Sequence, residues 1–157
     1  MERVVVLGRG GAGKSVFAER LGRALGLPVV ELDARFWTDG LAPMAKDRWA
    51  EVQRGLAGEP RWILDGDLGP YDVLEIRLAE ADTVIVLDFP LWLCAWRALR
   101  RSRENLAFWR WVLSYRRSGL PVVMAAVARH AGRAEVHVLR GRGDVERFFR
   151  EDGPLRS

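Results

Sequence analysis

A chain of 157 residues with 49% apolar and 29% charged side chains has the size and composition of one soluble domain with its own core, which excludes a disordered chain and a sizeable second domain. Its one cysteine, Cys94, excludes an internal disulfide and suits a reducing compartment. The net charge of +4 raises nucleic acid as a partner, so the distribution of that charge has to be followed along the chain.

Met1 and Glu2 lead directly into Val4-Val5-Val6-Leu7, whose continuous apolar character predicts a buried parallel strand at about Arg3 to Leu7. That start leaves no space for a cleavable export leader, so the cytoplasm is the expected compartment. Gly8 to Ser15 then read Gly-Arg-Gly-Gly-Ala-Gly-Lys-Ser, the pattern G-x-x-x-x-G-K-[ST], and a helical pattern follows from Lys14 to Leu25. Strand, glycine-rich turn and helix are the context that a phosphate-binding loop requires. Glycines at 8, 10, 11 and 13 let successive N–H groups turn inward, and the helix adds its uncapped amides and partial positive charge. Lys14 is one of only two lysines, against 23 arginines; it can reach β- and γ-phosphates, and the Ser15 hydroxyl can ligate Mg²⁺.

Further strands are predicted at about Pro28 to Leu32, Arg61 to Leu64, Thr83 to Leu87 and Glu135 to Leu139. Helical patterns run from Lys46 to Ala57, Tyr71 to Ala79, Leu91 to Arg117 with a break, Pro121 to Ala131 and Asp144 to Glu151; Thr38 to Pro43 reads as a loop. Strands alternating with helices of this length predict right-handed βαβ units and a parallel α/β sheet covered on both faces, which binds ligands at the carboxyl ends of its strands. The longest apolar stretch, Thr83 to Trp96, is broken by Asp88 and Pro90 and falls short of the roughly 20 residues of a membrane helix.

Three aspartates follow predicted strands: Asp33, Asp65 and Asp88. Each alone is an ordinary turn or cap residue, but together they share the sheet edge of the phosphate loop, where a carboxylate can hold Mg²⁺ or take a proton from an attacking hydroxyl. Between Arg97 and Arg117 lie seven arginines and a single acid, Glu104. Arg97 and Arg101, four apart, share a helix face; beside a phosphate loop they are expected to clamp the anionic group in transfer, in preference to forming a solvated basic face. Phe108, Trp111, Val112 and Tyr115 fall at helical spacing and predict a buried stripe, which accounts for this segment better than a membrane-surface helix. His130 and His137 are isolated, with no metal-ligand spacing.

The chain resembles the adenylate-kinase-like P-loop kinases, and within them the branch called DNA topology modulation proteins. The resemblance rests on the loop Gly8 to Ser15, on Leu32-Asp33 with Phe36-Trp37, on Arg61-Trp62-Ile63-Leu64-Asp65-Gly66, on Arg77, and on Leu87-Asp88-Phe89-Pro90 leading to Arg97 and Arg101. It implies a three-layer P-loop fold, a single domain over residues 1–157 with a five-stranded parallel sheet of order 2-3-1-4-5. It also implies a short arginine-rich lid at about 97–117 and ATP with Mg²⁺ at the loop. Nucleotide contacts are then expected from Gly8, Gly10, Gly11, Ala12, Gly13, Lys14, Ser15, Val16, Arg97, Arg140 and Arg142. Acceptor contacts are expected from Asp33, Arg35, Phe36, Trp37 and Arg77, metal contacts from Ser15, Asp65 and Asp88, and catalysis from Lys14, Asp33, Asp65, Arg97 and Arg101. The chain departs from the branch at Asp67, where an Asn is common, and in passing almost directly from Arg103 to Arg110 without a long polar lid. The leading expectation is an ATP-dependent kinase of a small acceptor, either a nucleotide or a hydroxyl metabolite. A nucleotide-binding regulator with little turnover, and a nucleic-acid binder using the basic helix, remain as alternatives.

Overall fold

Val4, Val5, Val6 and Leu7 have no accessible surface, as expected of a central strand covered on both faces. In the computed structural model, which describes residues 1–37, 42–101 and 106–151, they belong to β1 (Arg3–Gly8). The side chains of residues 97–101, 106–108, 111 and 112 also lie outside the described set. β1 pairs in parallel with β3 (Trp62–Asp65) and β4 (Thr83–Leu87); β2 (Val29–Glu31) extends the sheet beyond β3 and β5 (Glu135–Leu139) beyond β4. The order β2-β3-β1-β4-β5 is the one that the family resemblance implies.

Register brings the functional ends together. Val6 lies opposite both Asp65 and Ile85, and Gly8 opposite Leu87, so the loop after β1 emerges between the last residues of β3 and β4. Alternate β1 residues serve two cores. Val5 and Leu7 face α3 (Lys46–Ala57), α4 (Leu74–Glu80) and the C-terminal half of α6 (Leu106–His130), while Val4 and Val6 face α1 (Lys14–Leu25), Cys94 of α5 (Leu91–Arg101) and α7 (Arg142–Glu151). At about 1.5–3 kcal/mol for each fully buried aliphatic side chain, the two layers fix the sheet firmly enough to aim its edge.

Three local expectations change. The residues after β2 form a short helix, α2 (Leu32–Phe36), which places Asp33 in a helical first turn instead of a loop. Leu32 and Phe36, four apart and both buried, hold it, and five residues are too few for periodicity to declare itself. The helix expected from Tyr71 begins at Leu74, because Gly69–Tyr71 form a single 3₁₀ turn. The helices expected on either side of Pro121 are one: α6 runs from Leu106 to His130 with the proline inside. Tyr115 on one side and Val123 and Val127 on the other are buried against the domain, and this anchoring overrides the break that proline favours. The break expected earlier in the basic segment falls at residues 102–105, outside the described set.

Candidate active site

The loop between β1 and α1 has the backbone that its glycines permit. Gly11 and Gly13 lie at φ +77° and +87°, in the left-handed region, and a Cβ on Gly11 would collide with the carbonyl of Cys94. The loop is closed by the Ala12 amide donating to the Arg9 carbonyl at 3.2 Å, and Gly13 caps α1 without a side chain, leaving the helix N-terminus open toward the loop's concave side. Lys14 arches back over this backbone, donating from Nζ to the carbonyls of Gly8 at 2.9 Å and Arg9 at 3.3 Å. Both are weak partners for an ammonium group, which can exchange them for phosphate oxygens without unfolding anything.

Carboxylates gather on the same edge. Asp65, the last residue of β3, is buried near the Ser15 hydroxyl. Burial raises its pKa, against the opposing pull of Lys14 and Ser15. Its Oδ1, like Oδ1 of the buried Asp88, has no partner among the described residues; Asp88 Oδ2 lies 3.5 Å from Arg116 on α6. Two orphaned carboxylate oxygens with the Ser15 hydroxyl make a hard-oxygen donor set that suits Mg²⁺. Among the described residues no group of three or more His, Cys, Asp and Glu is placed to hold a metal ion by itself.

Asp33 is accessible by area, yet protein crowds its carboxyl: desolvation raises the pKa first, Lys14 opposes it, and Asp67, Asp72 and Glu31 add to the rise. It therefore faces the loop lysine on one side and the turn after β3 on the other. Trp37, one helical turn further along, is 40% exposed and stands edge-on to Phe36 with ring centroids 5.0 Å apart. Tyr71, 51% exposed, approaches Trp37 at 6.3 Å and Phe36 at 5.9 Å. Trp37 and Tyr71 make an aromatic wall beside Asp33. Phe36 is a core residue beneath that wall, packed on Trp49 and 1% exposed; Arg35 is exposed on α2.

Arg77 requires a correction. It is wholly buried and donates to both oxygens of Asp72 at 2.8 and 2.7 Å, to Gln53 at 2.9 Å and to the Gly66 carbonyl at 2.9 Å. Burial alone would push the Asp72 carboxyl up, but the charge and hydrogen bonds of Arg77, with Gln53, hold it below its ordinary value. Arg77 braces the turn after β3 and has no accessible surface to offer a ligand.

On the opposite face of the sheet a cavity of about 560 Å³ opens against the loop, lined by Gly11, Ala12, Gly13, Val16, Phe17, Leu87, Phe89, Val145 and Arg142. Arg20 and Glu146 meet at its rim at 2.7 Å, and the Arg20 guanidinium lies 3.9 Å from the Phe149 ring centroid. An apolar slot that continues the phosphate loop has the form of a nucleoside pocket. Arg140 is exposed outside that lining, and its amide is capped by Asp144 at 2.8 Å. Arg97 and Arg101 lie on α5, with side chains outside the described set.

Sequence reasoning passed over three residues. Tyr71 follows a Gly-Pro pair and carried only a helix signal. Tyr115 was legible as a buried member of a helical stripe, but not as the donor of a 2.7 Å hydrogen bond to Asp67. Burial raises its pKa well above the ordinary tyrosine value, aided by Asp67, so the phenol keeps its proton. Arg9 occupied an unconstrained position of the loop pattern, yet it is 1% exposed, with its guanidinium 5.7 Å from the Tyr115 ring centroid.

No protein-family model matches the chain, and no curated protein does. Solved structures do. The shikimate kinase from Acinetobacter baumannii in complex with shikimate is similar with a TM-score of 0.70 at 15% identity, over 97% of this chain and 90% of that one. A gluconokinase from Sinorhizobium meliloti 1021 gives 0.55 at 19% identity, over 99% and 92%. The shikimate kinase from Aquifex aeolicus vf5 gives 0.54 at 18%, over 94% and 93%. At these identities the likeness is one of fold: a five-stranded parallel sheet between helices, with the glycine loop after the first strand.

Proposed function

We propose that the chain is an ATP-dependent kinase that transfers the γ-phosphate to a hydroxyl group of a small acceptor with the help of Mg²⁺. The observation that carries this reading is the juxtaposition at one sheet edge of the glycine loop with Lys14 folded over it and of two buried carboxylates, Asp65 and Asp88, each with an unpartnered oxygen among the described residues. The structures of similar fold carry the names of kinases of shikimate, gluconate and sugars, which supports a small hydroxyl compound as acceptor. A nucleoside monophosphate is less well supported, because of the two cations that would meet its phosphate, Arg35 and Arg77, the second is engaged with Asp72. The Leu32-Asp33, Phe36-Trp37 and Asp65-Gly66 motifs support placement near the topology modulation branch, as a relation of sequence pattern without implied DNA binding.

In this mechanism the loop amides, the open start of α1 and Lys14 hold the triphosphate, while the slot lined by Val16, Phe17 and Arg142 takes the nucleoside. Ser15, Asp65 and Asp88 would hold Mg²⁺, which when bound neutralises charge on the phosphate oxygens. Asp33 accepts the proton of the acceptor hydroxyl as its oxygen bonds to the terminal phosphorus. The bond from that phosphorus to the bridging oxygen breaks, and the diphosphate leaves on the amides and Lys14. A raised pKa makes Asp33 a stronger base than an ordinary carboxylate. Trp37 and Tyr71 orient the acceptor's apolar face. Arg97 and Arg101 neutralise the equatorial oxygens.

Phosphate transfer from ATP to a panel of sugars, sugar acids, polyols and nucleosides tests the proposal, with Lys14→Ala as control. Stoichiometric ADP and phosphorylated product with at least one acceptor, lost in the control, is the expected result. Nucleotide binding without transfer to any member would replace the kinase by a nucleotide-responsive regulator.

A further inference from the structure

Arg9 is the one charged residue of the loop that the mechanism above leaves without a task, and its surroundings are unusual. It is 1% exposed, and its Nε and Nη2 are buried without a hydrogen-bond partner among the described residues. Its guanidinium carbon lies over the Tyr115 ring, 5.7 Å from the centroid, a face that offers a cation only weak compensation. Of the nearby acids, Asp67 accepts from the Tyr115 hydroxyl and the Gly69 amide, and Asp88 pairs with Arg116.

Buried guanidinium nitrogens without hydrogen-bond partners are costly, and an apolar side chain of similar volume would avoid that cost. Its position suggests what offsets the cost. Arg9 follows the last residue of β1, between strands that end at Asp65 and Leu87. Tyr115, which stacks on it, reaches to Asp67 beyond β3 and senses the charge of Asp88 beyond β4. The guanidinium therefore lies on the α6 side of the loop, away from the nucleoside slot between α1 and α7 and toward the region of Asp33 and Asp67. An anion there is the outermost phosphoryl group of a triphosphate seated in the loop, or the same group in flight to the acceptor.

We propose that Arg9 is a further phosphate-contacting residue, reserved for the terminal phosphoryl group and supplying from within the loop the bidentate contact otherwise expected of an arginine lid. This rests on the kinase reading above. Nε and Nη2 form the fork that matches two oxygens of one phosphoryl group. Tyr115, held to Asp67, keeps water from the fork until that group arrives.

Titration calorimetry on the full chain with Mg²⁺ separates the terminal phosphate from the rest of the nucleotide, using AMP-PNP and ADP as ligands. Arg9→Gln is expected to weaken AMP-PNP by about 10- to 100-fold, the value of a charge-assisted hydrogen bond, and ADP by less than about 3-fold. Arg9→Lys, which keeps the charge and loses the fork, should fall between, and it carries the test if Arg9→Gln does not fold. Equal weakening of both ligands, or of neither, overturns the assignment and leaves the kinase reading intact. Wild-type protein that binds neither ligand overturns both.

Discussion

Two arginines are buried at the working edge of this sheet, and their neighbourhoods are opposites. Arg77, behind the turn after β3, makes four hydrogen bonds to Asp72, Gln53 and Gly66 and an ion pair with Asp72, leaving only its Nε without a partner among the described residues. Arg9, in the phosphate loop, has two buried nitrogens with no partner among the described residues. The same side chain is thus a structural brace in one region and an unsatisfied cation about one strand away. Compensation, and not burial, separates a charge that holds the fold from a charge held ready for a ligand.

The sharpest way to break this contrast is a matched pair of substitutions. Arg77→Met strands the Asp72 carboxylate and should cost about 3–5 kcal/mol in urea unfolding, whereas Arg9→Met removes an uncompensated charge and should stabilise the chain by about 1–3 kcal/mol. Destabilisation of similar size in both would erase the distinction. Next in size, Lys14→Ala should lower kcat/KM by about 100- to 1000-fold, as for loss of a preorganised charge contact, with a melting curve close to that of wild type.

Asp33 probes the same division through pH. Its carboxyl has a pKa above the ordinary 3.8, with burial as the first cause, so the folded chain holds this proton more tightly than the unfolded one. Its contribution to stability is therefore unfavourable once the group is ionised, growing as pH rises from the ordinary carboxylate range through the raised value. Asp33→Asn should remove that slope and raise Tm at neutral pH by about 2–4 °C, while transfer falls about 100-fold or more. In the wild type, kcat/KM should fall on the acid side as Asp33 takes up its proton. The smallest effect is expected of Trp37→Ala: the acceptor KM rises about 2- to 10-fold with the ATP KM unchanged, as for loss of one aromatic contact on the acceptor side.

The loop, the parallel sheet and the three aspartates were legible because each depends on local pattern: glycine placement, apolar strand runs, and an acid at a strand end. Strand order followed from resemblance and agrees with the structure. What stayed hidden depends on partners distant in the chain. Arg77 and Asp72 are five residues apart, but nothing in that spacing shows that Gln53, from another helix, closes the cage. The hydrogen bond from Tyr115 to Asp67 spans 48 positions. Arg9 carries no signal of its own, because a loop pattern specifies glycines and leaves the residues between them open. Pro121 announced a helix start and sits inside a helix, since core contacts on both sides of it outweigh one missing hydrogen bond.

The backbone of Cys94 fills the space where position 11 would carry a side chain. Consequently α5 and the nucleotide cradle are geared together: tilting the helix away from the sheet withdraws the stop against which the glycine turn rests. Trp92, on that helix and 71% exposed, travels with it.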